Sequence, residues 1–283
     1  GSDYWAYQQI KRPSVPPVKN SKWVANPIDS FVLSKLEAAD LQPVGKADKV
    51  SLLRRAYYDL IGLPPTPEEV DRFVADDSPE AFAKVIDHLL EQPRYGEKWG
   101  RHWLDIVRFA ETHGYERDSP KPFAWRYRDY VIESFNNDKP YNQFVIEQLA
   151  GDELPEVTME TLTATGFYRL GIWDDEPADR ELARYDGLDD VIKTASEAVL
   201  GISMGCARCH SHKVDPINHN EYYSFLAYFH DVTHSNQDNL RYWLTDADQR
   251  EHEKRVAGKQ REEDELVARI VAIEERFKVS LQV

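Results

Sequence analysis

No apolar run in this sequence approaches eighteen residues, so it offers no membrane-spanning helix. Basic charge is short: 35 Lys and Arg stand against 50 Asp and Glu, a net charge of −15, and the acid is spread along the chain rather than gathered in a tail. That balance leaves no basic footprint for nucleic acid and argues against an anionic membrane surface. Alternating apolar and polar stretches are scarce, which argues against a sheet. Cysteine is nearly absent, with two in 283 residues, so no disulfide framework holds the fold. Methionine is equally rare at two, and no charged-then-apolar leader opens the sequence. Gly1-Ser2 reads as a cloning remnant, so an excised piece is expected and its compartment must be inferred from chemistry.

What is present is aromatic: seven Trp, fifteen Tyr and eleven Phe, enough with the other apolar residues to fill the core of one large domain or two small ones. A mean hydropathy of −0.63 places a heavily charged surface around that core. Residues 1 to 25 are proline-rich and aperiodic and read as an extended strap. Helix starts then recur. Asn26-Pro27-Ile28-Asp29, Thr66-Pro67-Glu68-Glu69 and Ser78-Pro79-Glu80 each set a capping residue before a first-turn proline and an early acid. Helices are predicted near 27–39, 48–61, 67–75, 79–91, 94–112, 123–136, 140–150 and 180–200. The expected fold class is mainly α: an irregular multi-helix domain over 1–245 with a protruding helical arm over 246–283. In the arm, Leu266, Ile270, Ile273 and Phe277 fall at spacings of four, three and four, a short heptad seam. That seam suits half of a coiled coil, completed by a second copy or by a partner helix outside this sequence, or else a solvated helix docked on its own domain.

The two cysteines are Cys206 and Cys209, followed by His210. Cys-x-x-Cys-His is the attachment pattern of c-type haem: two thiols a turn apart form thioethers to the two vinyl groups, and the adjacent imidazole sits under the iron. Three other readings stand beside it. Zinc could be held by Cys206, Cys209, His212 and His219, although no second distant ligand pair is present. A thioredoxin-like pair would need a βαβ context, which is missing. A disulfide across two residues would close too short a loop to constrain much chain.

Several runs appear in one order: Trp103-Leu104-Asp105 with Arg108, Gly114-Tyr115-Glu116-Arg117-Asp118, Trp125-Arg126-Tyr127-Arg128-Asp129, Glu147-Gln148-Leu149-Ala150-Gly151-Asp152, Trp173-Asp174-Asp175-Glu176-Pro177, and Cys206-Ala207-Arg208-Cys209-His210-Ser211-His212-Lys213 with Asp215-Pro216-Ile217. Over roughly residues 3 to 235 the sequence resembles the second planctomycete cytochrome domain. The resemblance implies a large exported, periplasmic or cell-surface protein, often with a separate small cytochrome c domain before this one as a redox partner in the same full-length chain. It implies haem held by Cys206 and Cys209 and ligated by His210; Ser211 stands where that family more often has Asp or Asn.

The sixth iron position separates an electron carrier from an enzyme. Met204 lies too close to Cys206 to reach the opposite haem face, and Met159 is the only other methionine. Distal candidates are then His113, His230 and His234. His113 follows His102, Ile106 and Phe109 at helical spacing, at the end of an expected inward face on which His102 is core; His88, His219 and His252 read as surface residues. With no distal ligand, the iron would be open to peroxide or a small molecule, and His113, Tyr115, Arg117 and Arg126 become catalytic candidates, with Trp125 and Arg128 nearby. The ordinary alternative is salt bridging among helices. Asp174, Asp175, Glu176 and Asp179 form an acidic loop that is a calcium candidate or a solvated surface; with Asp186, Asp189 and Asp190 it could dock a basic redox partner. The functions in play are electron transfer, oxidation of a small molecule or carbohydrate at an open haem, and polysaccharide binding by Trp and Tyr around a structural haem.

Overall fold

A computed structural model describes residues 4–232 and 246–280, apart from the side chains of 246–249, 251–253 and 275–280. The described residues form eleven α-helices and no strand. They are α1 (Pro27–Ala38), α2 (Lys49–Leu60), α3 (Pro67–Ala75), α4 (Ala81–Leu90), α5 (Pro93–Ile106), α6 (Ala124–Asn136), α7 (Tyr141–Ala150), α8 (Met159–Ala164), α9 (Arg180–Ala195), α10 (His219–Phe229) and α11 (Asp246–Ser280). The chain divides into two compact units, residues 1–232 and 233–283.

Capping sets the helix starts. Asn26 accepts from the N–H groups of Ile28 and Asp29, Thr66 from that of Glu69, and each N3 carboxylate answers back to the cap, closing two capping boxes with proline in the first turn. The third predicted start differs. The Asp76 carboxylate accepts from the Ser78 N–H, the Ala81 N–H closes a turn on the Ser78 carbonyl, and α4 begins only at Ala81. Two helices carried by boxes without proline, Thr158 with Thr161 on α8 and Asn218 with Glu221 on α10, were not predicted.

The predicted helix over 94–112 ends at Ile106. Arg108 takes a left-handed φ of 57°, and the Phe109 N–H returns to the Leu104 carbonyl, the six-to-one closure that stops a helix. His113 is therefore not on α5. The buried face of α5 is Gly96, Gly100, Trp103 and Val107, at spacings of four, three and four, whereas His102 and Ile106 are exposed. The expected inward face was rotated from the real one, because the two glycines that define it carry no hydrophobic signal.

Those glycines let α5 lie directly on α6. A Cβ at Gly96 would stand 2.3 Å from the Ile132 carbonyl oxygen, and one at Gly100 3.3 Å from the Ile132 side chain. The larger core of the first unit holds Trp103, Tyr127, Tyr130, Phe144 and Phe167, with Leu188 and Ile192 of α9 and Tyr222 and Leu226 of α10. A second core, with Leu53, Tyr57, Phe73 and Leu89, joins α2, α3 and α4. In the second unit α11 runs 35 residues, with Leu266, Ile270 and Ile273 exposed; Phe277 lies outside the described side chains.

Candidate functional site

After α9 the backbone passes through one π turn, Ser196–Leu200, reverses at Gly201 with φ 66°, and enters a 3-10 turn, Met204–Arg208. Three residues per turn put Met204 and Ala207 on one side and Cys206 and Cys209 on another. Met204 and Ala207 are buried in the larger core; both thiols are exposed and unpaired. His210 is also exposed, with Nδ1 2.8 Å from the Ser211 carbonyl oxygen. A carbonyl only accepts, so Nδ1 carries the proton and the Nε2 lone pair is left for a ligand.

The turn is pinned from both helices that flank it. Arg208 donates to Asp186 at 2.5 Å and Asp189 at 3.1 Å, both on α9, and the Tyr222 hydroxyl of α10 donates to Asp189 at 2.6 Å. Burial and this bond raise the Tyr222 pKa, so the phenol stays a donor. The Arg208 carbonyl accepts from His219 Nε2 at 2.9 Å and the Tyr223 hydroxyl at 3.1 Å. His219, read from sequence as a surface residue, is a half-buried tie. His212 closes the following loop: Nδ1 accepts from the N–H groups of Val214 and Asp215, and Nε2 faces the Ser203 hydroxyl at 3.2 Å. Both nitrogens of His212 and the Nε2 of His219 are thus engaged. No three His, Cys, Asp or Glu side chains gather into a metal-holding group among the described residues, which removes support from the zinc reading.

From the strap, the Tyr7 hydroxyl donates to Asp215 at 2.9 Å. Tyr7, Ile202, Met204, Ile217, Phe225 and Tyr228 line a largely apolar groove of about 440 Å³ on the flank of the turn. The donor chemistry fits a covalently attached haem: two exposed thiols one turn apart, a neighbouring imidazole in the tautomer that ligates through Nε2, and apolar surface alongside.

The other predicted residues lie elsewhere. His113 is buried, its Nδ1 has no hydrogen-bond partner, and its pKa is lowered by burial and by the Lys121 charge. No hydrogen bond, ion pair or ring contact joins His113, Tyr115 or Arg117 to Cys206, Cys209 or His210 among the described residues. Tyr115 is exposed, Arg117 pairs with Glu176 at 2.5 Å, and the Arg126 guanidinium lies over Phe123 and Trp125. Arg128 pairs with Asp129 and Glu111. His230 is exposed at the end of α10, its Nδ1 3.2 Å from Asp231. His234 lies outside the described residues, as does the side chain of His252. Met159 opens α8.

The acidic loop does not converge on one point. Asp174 accepts from the Glu176 N–H, Glu176 binds Arg117, and Asp179 caps α9. Asp186 and Asp189 pair with Arg208 and Asp190 with Arg108, so three of the acids that could have joined a docking surface are each engaged by an arginine. Arg208, Tyr222 and Tyr223 were missed as supports. The readable signal was an arginine inside the Cys-x-x-Cys and two aspartates three residues apart on the preceding helix.

Helical packing around an anchored Cys-x-x-Cys-His turn defines the class of domain. Residues 27–234 match PSCyt2, a protein family of unknown function (DUF1549), and the chain belongs to this planctomycete cytochrome-related family. No curated protein and no solved structure matches the chain significantly.

Proposed function

We propose that this domain is an exported c-type haem protein with a redox role, electron transfer, in which Cys206 and Cys209 form the two thioethers and His210 ligates the iron. The observation that carries the reading is the presentation of both free thiols and an Nε2-competent imidazole on the open side of a turn whose other side is buried. Bound haem would supply one-electron exchange between ferrous and ferric iron at this surface.

The protein's own residues account for the rest. Arg208, clamped by Asp186 and Asp189 at its guanidinium and by His219 and Tyr223 at its carbonyl, holds the two cysteines in a fixed register. The Ser211 carbonyl orients the His210 ring and fixes the tautomer that leaves Nε2 for the iron. Met204 packs on the core side of the turn and is not presented with the thiols. Thioether attachment belongs to an extracytoplasmic compartment, so the proposal takes the periplasm or cell surface as the domain's location and a cytochrome c domain as its redox partner.

The test is an absorption spectrum of protein co-expressed with the haem c maturation machinery, ferric and dithionite-reduced, followed by the alkaline pyridine assay. The expected result is a two-thioether spectrum, low-spin in both states. Cys206→Ser should shift the pyridine spectrum to that of a single thioether, and His210→Ala should abolish the low-spin ferric form. A high-spin spectrum would redirect the function to small-molecule oxidation at an open iron; no covalent haem despite competent maturation would overturn the proposal.

A further inference from the structure

The strap that precedes α1 has a root, a stiff middle and a docked tip. At the root, the Lys19 and Asn20 N–H groups donate to the Glu37 carboxylate of α1 at 2.9 to 3.0 Å. In the middle, residues 9–18 form no helix or turn, and Pro13, Pro16 and Pro17 fix φ at three positions, which keeps the stretch extended. At the tip, Trp5–Tyr7 makes a single 3-10 turn with its rings gathered, Tyr4 lying 5.7 Å from Trp5 and 5.9 Å from Tyr7 between centroids. The Tyr7 ring lines the apolar groove with Met204, Ile217 and Phe225, and its hydroxyl crosses to Asp215 at 2.9 Å. None of residues 4–25 is buried, so little apolar surface holds the strap down.

Asp215 is where the strap meets the cysteine loop. His212 Nδ1 accepts two backbone N–H groups, so its proton sits on Nε2 and is given to the Ser203 hydroxyl at 3.2 Å, which in turn donates to Asp215 at 3.3 Å. Ser203 precedes the Met204–Arg208 turn and its carbonyl accepts from the Cys206 N–H, while the His212 N–H returns to the Ile217 carbonyl. Tyr7 and Ser203 thus converge on one carboxylate that joins the two ends of the loop carrying Cys206, Cys209 and His210. We infer that the strap is a latch on this loop: with Tyr7 docked the groove is walled and the loop tied at both ends, and with Tyr7 released the groove opens and the loop loosens. A hydrogen bond of this kind moves a two-state balance by about two- to tenfold, enough to favour docking and small enough to permit release. The latch acts on the site proposed for haem attachment but rests on the haem-free fold alone.

The experiment therefore uses the whole chain without haem, so an absence of haem attachment leaves it intact. Amide hydrogen exchange with mass spectrometry is followed in residues 203–217, with α2 of the separate core as the internal reference. Tyr7→Phe keeps the ring and removes the hydroxyl; it should raise exchange in 203–217 about two- to tenfold and leave α2 unchanged. Replacing both Pro16 and Pro17 by Gly touches neither the groove nor Asp215, but it frees the middle of the strap and so favours the released state. That variant should raise exchange in 203–217 in the same direction, and it carries the test if Tyr7→Phe fails to fold. Wild-type exchange in 203–217 in either folded variant would overturn the latch. A rise shared equally by α2 would overturn it as well, because it would report a general loss of stability.

Discussion

Glu147 shows how a single residue can be prominent in a sequence and yet obscure in its role. Its carboxylate is buried and accepts from Lys139 at 2.5 Å, Gln143 at 2.7 Å and the Tyr130 hydroxyl at 2.8 Å. Beside it, Gln148 accepts from the Trp103 indole at 3.0 Å and from the Tyr127 hydroxyl. Burial alone would raise the Glu147 pKa, but the donors together outweigh it and hold the carboxyl below its ordinary range. A depressed folded pKa contributes stability above the unfolded value, about 4.3, and that contribution is lost as pH falls through the folded value. Glu147→Gln leaves the buried Lys139 ammonium with Glu160, exposed at the surface, as its remaining counter-charge, and should lower stability by about 1–2 kcal/mol near neutral pH. Denaturant unfolding at a series of pH values checks it: the gap between wild type and variant should narrow in acid, and a gap independent of pH would refute this account. The Glu147-Gln148 pair is legible as part of a recurring motif, but its place in a core network depends on α5, α6 and α7 meeting.

At the scale of the element, helix boundaries follow local chemistry and helix faces do not. Asn26 and Thr66 announce α1 and α3 because a cap, a proline and an acid act within four residues. The end of α5 depends on Arg108, whose left-handed backbone is sustained by the bond to Asp190 on α9, eighty-two positions away. Gly96→Ala drives a Cβ against the Ile132 carbonyl and should destabilise the first unit by about 1–3 kcal/mol, seen as a lower midpoint in denaturant with an unchanged m value. Asn218→Ala removes the cap of α10 and should cost about 1 kcal/mol. Because α10 carries His219, Tyr222 and Tyr223, the same variant should also raise amide exchange in Met204–Arg208 relative to α2, which hydrogen exchange with mass spectrometry reads directly.

For the whole molecule, the division into residues 1–232 and 233–283 assigns both hydrophobic cores to the first unit. A chain ending at Val232 should therefore unfold cooperatively with the midpoint of the intact protein in its main transition, by circular dichroism; loss of that transition would show that the second unit contributes to the cores. The charge tells a similar story at this scale. Of the acids that could have formed a docking face, Asp186, Asp189 and Asp190 hold Arg208 and Arg108, so one acidic face of α9 fastens two loops.

The sequence by itself determined the helical class, the starts of the capped helices, the absence of a membrane-spanning helix and the place of the Cys206, Cys209 and His210 motif, because each depends on residues within a few positions of one another. Tertiary structure decided the rest. It turned the thiols outward by burying Met204 and Ala207, chose the His210 tautomer, engaged His212 and His219 in ties, dispersed the Asp174–Asp179 carboxylates, and brought Arg108 and Arg169 close to Lys121. Those outcomes turn on distances between groups far apart along the chain, and periodicity carries no record of such distances.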